Sequence, residues 1–235
     1  MNEERVLVYA GLTITEDEVR RAVPEAIVRP PAAQADILSD VFKYSPTHVI
    51  LIDGRFLQHL PPWHKELVYC LLDPRIGGRV YGCSSMGALR AADLADFGII
   101  GYGRIFNWYY ENVLTDDSEV SVSYHLDASG TPHVDTVALV DCRSTIEQYC
   151  PEDLDPEILL LTARRIHWTV RTEQRLRKAW VEAGFNLEVD IIPQKFLDAG
   201  HLLQNFRELP VPGPQGINDA NGASCSGQHS GHCRV

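Results

Sequence analysis

The chain has 235 residues, 45% apolar and 23% charged, an ordinary globular composition long enough to bury a sizeable core in one domain with appendages. Its 21 Lys and Arg against 32 Asp and Glu give a formal charge of −11, which argues against binding a nucleic-acid phosphate backbone. No apolar run approaches the ~20 residues of a membrane span, and dispersed cysteines with no basic signal-peptide start point to the reducing cytoplasm.

Arg5 to Ala10 reads as a buried strand that Gly11 ends. Thr15-Glu16-Asp17-Glu18 then supplies an N-cap and an acidic first turn for a short helix to about Ala22. Pro30 and Pro31 lead into a helix through Ala35, Leu38 and Phe42. His48 to Ile52 is a second strand, closed by the turn signal Asp53-Gly54. Pro61 and Pro62 introduce a helix from Trp63 to Leu72, since proline is tolerated in a first helical turn. Arg79 to Cys83 is a third strand running directly into Ser84-Ser85-Met86-Gly87-Ala88-Leu89-Arg90-Ala91-Ala92, a helix with a small face. Gly98 to Tyr110, rich in glycine and aromatic residues, reads as a loop packed on the core or on a protein partner. Asp116-Asp117-Ser118-Glu119 reads as a solvated acidic loop.

This alternation predicts a parallel, three-layer α/β core over residues 1–148. Residues 149–209 read as a helical C-terminal region. Asp155-Pro156 starts a helix, Leu159, Ala163, Ile166 and Val170 recur at helical spacing, Gly184 stops the run, and a further helix covers Pro193 to Glu208 with a weak point at Gly200. Residues 210–235 are rich in Gly, Pro and Ser without an aromatic residue, the composition of a disordered tail. Cys225, His229, His232 and Cys233 lie there without a paired C-x-x-C, so the reading is an incidental cluster and no metal site. No P-loop, H-E-x-x-H or redox C-x-x-C occurs, and Gly101-x-Gly103 alone is a weak dinucleotide signal, so no cofactor is expected.

Three segments could carry chemistry. In Gly82-Cys83-Ser84-Ser85-Met86-Gly87, a hydroxyl between a strand end and a helix start is exposed to attack a carbonyl, and the helix N-terminus offers N–H groups to an oxyanion. Ser85-Met86-Gly87 matches half of a nucleophile elbow, with Cys83 where the preceding glycine stands; starting from Ser84 restores Gly82 but puts Met86 at the following glycine. Simple N-capping explains one serine equally well. Trp63-His64-Lys65-Glu66 offers His64 or Lys65 as a base, although a lysine must be desolvated to act, and Glu66 or Asp53 nearby opposes that. It also reads as a plain solvated helix start. Asp53-Gly54-Arg55-Phe56 follows the second strand, and with Gly11 to Thr13 it falls on the strand-end rim where doubly wound sheets bind ligands.

Asp53-Gly54-x-Phe56, Trp63-His64-Lys65-Glu66 and Gly82-x-Ser84-Ser85-Met86-Gly87-Ala88-Leu89-Arg90-Ala91-Ala92 together resemble the TfuA-like family. Phe97-Gly98, Gly101-x-Gly103-x-Ile105-Phe106 and Asp116-Asp117-x-Glu119-Val120 extend the resemblance, which covers roughly Val6 to Val122. The family's Gly-Pro-Ser/Thr turn reads Gly11-Leu12-Thr13 here. The resemblance implies a partner of YcaO-type enzymes, which replace a backbone amide oxygen with sulfur. It implies release of sulfide from a thiocarboxylated ThiS-like carrier protein, help in engaging a precursor peptide or target protein, and a hydrolase-like Ser–Lys site. Carried onto this chain, the lysine is Lys65, because Lys43, Lys178 and Lys195 lie outside the matched motifs, and the serine is Ser85 or Ser84, with Ser85 favoured. His64 is then a candidate to hold developing charge. Asp53, Gly54, Glu66, Met86, Gly87, Arg90, Gly11 and Thr13 are the candidate substrate-binding residues. A docking protein without turnover, bridging enzyme and peptide through Phe97 to Tyr110, is the alternative.

Overall fold

The computed structural model describes residues 3–55, 60–186, 188 and 190–212. Five parallel strands form the central sheet: β1 (Val6–Tyr9), β2 (Ile27–Arg29), β3 (His48–Leu51), β4 (Val80–Cys83) and β5 (Ile100–Tyr102), in the order β2-β1-β3-β4-β5. β1, β3 and β4 are buried throughout, which suits strands covered by helices on both faces. The expected parallel α/β core is present.

Helices fill the crossovers. α1 (Glu16–Ala22) covers one face, where Val19 joins Val6, Val8, Ile50 and Tyr81 in one cluster. On the other face lie α2 (Asp36–Tyr44), α3 (His64–Leu72) and α4 (Met86–Asp93), which contribute Ile37, Val41, Leu67, Cys70 and Ala91 against Leu7, Tyr9, Val49 and Val80. α5 (Arg104–Tyr110) packs on α4 through Ile105, Tyr109 and Ala88. An antiparallel hairpin, β6 (Tyr124–Leu126) and β7 (Pro132–Val134), precedes a helical group of α6 (Leu139–Tyr149), α7 (Pro156–Arg165) and α8 (Glu173–Glu182) around buried Trp180. The last helix, α9 (Gln194–Asn205), returns to the sheet. Its Ala199, Leu202 and Leu203 complete the cluster under α1, so the C-terminal region supplies part of the core's outer layer.

Several local expectations differ from the structure. Ile27–Arg29 is an edge strand of three residues, too short to show a period in the sequence. Gly98 to Tyr110 is no loop but holds β5 and α5. A Cβ at Gly101 would lie 2.0 Å from the Phe106 ring and one at Gly103 2.4 Å from the Asp198 carboxyl carbon, so these glycines permit close packing. The helical run after Pro156 stops at Arg165 because buried Arg171 folds back and donates to the Ala163 and Ile166 carbonyls. Gly200 does not interrupt α9. The acidic loop is only partly solvated: Glu119 is buried and accepts from both Arg143 and Arg164. Most of the 210–235 segment, including Cys225, His229, His232 and Cys233, lies outside the described residues.

Candidate functional site

In a sheet of order 2-1-3-4-5, the connections after β1 and β3 leave toward opposite faces, and the crevice between their carboxyl ends is where such folds bind ligands. Asp53 lies there, buried just beyond β3. One of its oxygens accepts from the Leu12 and Thr13 N–H groups at 2.9 and 2.8 Å, and the other from the Thr13 hydroxyl at 2.6 Å. The structure therefore brings Gly11–Thr13 and Asp53 together, as their topology implied. Gly54 bridges to Ala32, and a Cβ on it would come within 2.6 Å of the Met86 side chain, so this turn closes directly onto the start of α4.

β4 runs into α4 through the two serines. Gly87 donates its N–H to the Ile52 carbonyl at 3.1 Å, and a Cβ at Gly87 would sit 1.8 Å from the Leu51 carbonyl oxygen. A Cβ at Gly82 would lie 2.2 Å from the Gly87 carbonyl oxygen. Both glycines let the helix seat against β3 and β4. Ser84 takes the tight corner with φ +66°, a left-handed conformation that a non-glycine residue holds only where its surroundings impose it. Its hydroxyl is fully buried and donates to the Lys195 carbonyl at 2.7 Å. Ser85 is the residue preceding α4, and its own N–H donates to the Cys83 carbonyl at 2.9 Å. Among the described residues neither the Ser85 hydroxyl nor the Met86 N–H has a hydrogen-bond partner. The two serines thus differ: one hydroxyl ties down α9, the other is uncommitted beside a free N–H at the positive end of a helix.

The α3 segment lies differently from its neighbours on the rim. Glu66 is buried and accepts from the Trp63, Ala35 and Leu38 N–H groups, joining the starts of α2 and α3. His64 pairs with Asp93 at 2.9 Å on the exposed flank of α4. Arg90 donates to that same Asp93 and to the Pro62 carbonyl, holding α3 against α4. Lys65 is exposed, and no hydrogen bond joins it to Ser84 or Ser85.

The family model for TfuA-like proteins matches residues 53–172, from the Asp53 turn to the start of α8, just over half of the chain. The chain belongs to the TfuA-like family. Membership supports involvement in YcaO-associated peptide backbone thioamidation, with a YcaO-type enzyme as partner. No curated protein matches the sequence. No helix among the described residues is long and apolar enough to cross a membrane. No group of three or more His, Cys, Asp and Glu among them is arranged to hold a metal ion.

Beyond the segment shared with TfuA-like proteins, α9 adds groups that the sequence did not single out. Lys195 is buried, and its ammonium group donates to the Val120 carbonyl at 3.0 Å. Its main-chain N–H donates to Asp141 at 3.1 Å. Burial pushes the lysine below its ordinary range, opposed by the charges of Asp53 and Asp141. Burial likewise raises Asp141 to about 6, with Lys195 pulling the other way. Asp198, also raised by burial, accepts from the Ile105 N–H and from Gln194. The one available sequence signal was a lysine in the first turn of an apolar-faced helix.

Proposed function

We propose that this TfuA-like protein releases sulfide for a YcaO-type enzyme by hydrolysing the C-terminal thiocarboxylate of a ThiS-like carrier protein, with Ser85 as nucleophile. The observation that carries the reading is the uncommitted Ser85 hydroxyl beside the unpaired Met86 N–H at the strand-end rim. Ser84, although strained, is spent as a donor under α9. In the first half-reaction the Ser85 oxygen bonds the carbonyl carbon, the C–S bond breaks, and the serine proton leaves with sulfur as hydrosulfide. Water then cleaves the acyl-serine ester, restoring the hydroxyl and releasing a carboxylate and a proton. The substrate is already anionic, so the Met86 N–H and the α4 dipole must hold the added charge on the tetrahedral intermediate.

The test is hydrolysis of a purified thiocarboxylated carrier, followed by intact mass and sulfide release. Ser85→Ala is expected to lose about 100-fold or more, whereas Ser84→Ala keeps most of the rate. Full turnover by Ser85→Ala excludes the reading. The half-exposed rings of Phe97 and Tyr110, 52% and 54% accessible, favour a second reading as a docking protein that bridges the YcaO-type enzyme and its precursor peptide. On that reading Ser85→Ala still enhances thioamidation stoichiometrically.

A further inference from the structure

We infer that the β6–β7 hairpin docks the carrier's C-terminal tail, which adds to the open edge of β6 as an extended strand on its way to the crevice; the inference rests on the Ser85 hydrolase reading above. The hairpin starts beside the serine corner. Just before it, the Val120 carbonyl takes the Lys195 ammonium group at 3.0 Å, and the Lys195 carbonyl takes the Ser84 hydroxyl at 2.7 Å. At its far end Ser129 to Pro132 line a cavity of about 560 Å³ together with Gly11, Arg29 and Pro31, beyond the ends of β1 and β2. The hairpin therefore follows the strand-end rim, from the end of β4 that leads into Ser85 to the opposite edge of the sheet.

Only its own chain holds it there. Residues 124–135 are exposed apart from half-buried Pro132, and among the described residues no hydrogen bond or ion pair joins 123–136 to the rest of the protein. A two-stranded hairpin is at best marginally stable in water. This one is braced on one face: His125 pairs with Asp135 at 2.7 Å and His133 with Asp127 at 3.0 Å, while Asp127 also accepts from the Ser129 and Thr131 N–H groups at the turn. The opposite face carries Tyr124 and Leu126, 42% and 60% exposed. The hairpin is thus stiffened without being packed on anything.

The ladder shows which atoms are open. Asp127 donates to the Thr131 carbonyl and Asp135 to the Ser123 carbonyl, so these are bonded pairs, and His125 opposite His133 is the bonded pair between them. By the same alternation the N–H and C=O groups of Tyr124 and Leu126 point away from β7. The matching outward positions on β7 are Pro132 and Val134, and Pro132 has no N–H to offer. Proline and lysine are what blunt an exposed edge, and β6 has neither. An added strand therefore pairs with β6. Ser85 is only 4% exposed, so what reaches it from that edge must be narrow and extended. A free chain end has that form, and a folded surface has not.

The experiment uses the full chain and a purified thiocarboxylated carrier. In Ser85→Ala, hydrogen exchange at Tyr124 and Leu126 should slow when the carrier is added, and should not when the carrier lacks its C-terminal tail. Leu126→Pro removes one outward N–H and leaves the ladder bonds. It should raise KM for the carrier about 10-fold, the worth of one hydrogen bond, with kcat near the parent. Val134→Pro makes the same change on the β7 edge and should leave KM near the parent. Unslowed exchange at Tyr124 and Leu126 with saturating carrier, or an unchanged KM in Leu126→Pro, overturns the docking assignment. So does slowing by the precursor peptide and not by the carrier. Full turnover by Ser85→Ala, with exchange still slowed by the tail, overturns the serine reading and leaves the docking assignment intact. If Leu126→Pro unravels the hairpin, the exchange measurement, made on an unaltered hairpin, decides.

Discussion

Thr13 is held by both atoms it can offer: its N–H lies 2.8 Å from one oxygen of Asp53 and its hydroxyl 2.6 Å from the other. The Leu12 N–H shares the first oxygen at 2.9 Å. The loop after β1 therefore owes its position on the rim to one carboxylate at the end of β3. Hydrogen bonds to a charged group contribute about 1.5–3 kcal/mol each when a partner is removed from a buried site. Asp53→Ala should free the loop, lowering stability by about 3 kcal/mol and speeding amide exchange at Leu12 and Thr13 selectively. Asp53→Asn, which keeps an acceptor, should lose less. Unchanged exchange at those two amides in Asp53→Ala would mean that the loop is held by its own backbone.

Ser84 combines two features that point in opposite directions for stability. The left-handed φ of +66° strains a residue with a Cβ, while its hydroxyl makes a buried bond to the Lys195 carbonyl. Ser84→Ala keeps the strain and loses the bond, for an expected drop of about 1 kcal/mol. Ser84→Gly loses the same bond but relieves the strain, which is worth a comparable amount. The glycine variant should therefore melt close to the parent and above the alanine variant. The reverse order in thermal melts would show that the corner is not strained.

Gly87 is the point where α4 touches the sheet. A Cβ added at this position would stand 1.8 Å from the Leu51 carbonyl oxygen, and no rotamer change can make room, because neither atom can swing aside without moving the backbone. Gly87→Ala must push α4 off β3, taking Ser85 and the Met86 N–H with it. Overpacking of this kind costs about 3 kcal/mol, and hydrolysis should fall even at temperatures where the variant stays folded. Gly200→Ala, in α9 with open space around its Cβ position, is the control. It should be neutral or slightly stabilising, as alanine favours a helix over glycine by about 1 kcal/mol. Similar melting points for the two variants would contradict the packing described.

How much of this could be read in the sequence depended on distance along the chain. The strand at His48 to Leu51 and the corner at Ser84 announced themselves locally, through apolar runs ended by turn signals. The meeting of Gly11–Thr13 with Asp53 followed from topology, since strand ends of a parallel sheet share a rim. The contact between the Ser84 hydroxyl and the Lys195 carbonyl did not: it spans 111 residues, and nothing local marks the lysine as buried. Lys65, the lysine that the resemblance implies, stands exposed one position before the buried Glu66. The edge strand at Ile27 and the β5–α5 unit were hidden by shortness, and by glycines whose purpose, room for Phe106 and Asp198, exists only in three dimensions.

His48 gives the fold a dependence on pH whose sign can be worked out. The ring is buried at the start of β3, between Tyr81 and Phe206 at 6.3 and 5.5 Å, with its Nδ1 at 3.0 Å from the Thr47 hydroxyl. Burial pushes it down to about 4. The charge of Glu4 opposes the shift, and those of Arg79 and Arg207 add to it. In the unfolded chain the same ring titrates near 6.5. Between those values the unfolded state binds more protons, so stability rises with pH across the window and is lost as the medium is acidified from about 6.5 toward about 4. Over the full window the contribution amounts to about 3 kcal/mol. His48→Gln removes the titration, so chemical denaturation at a series of pH values should show a flatter acid limb for the variant than for the parent. The two curves should converge toward about pH 4, where the parent has lost its advantage. Curves that stay parallel from about pH 7 down to about pH 4 would place the acid sensitivity of this protein elsewhere than in His48.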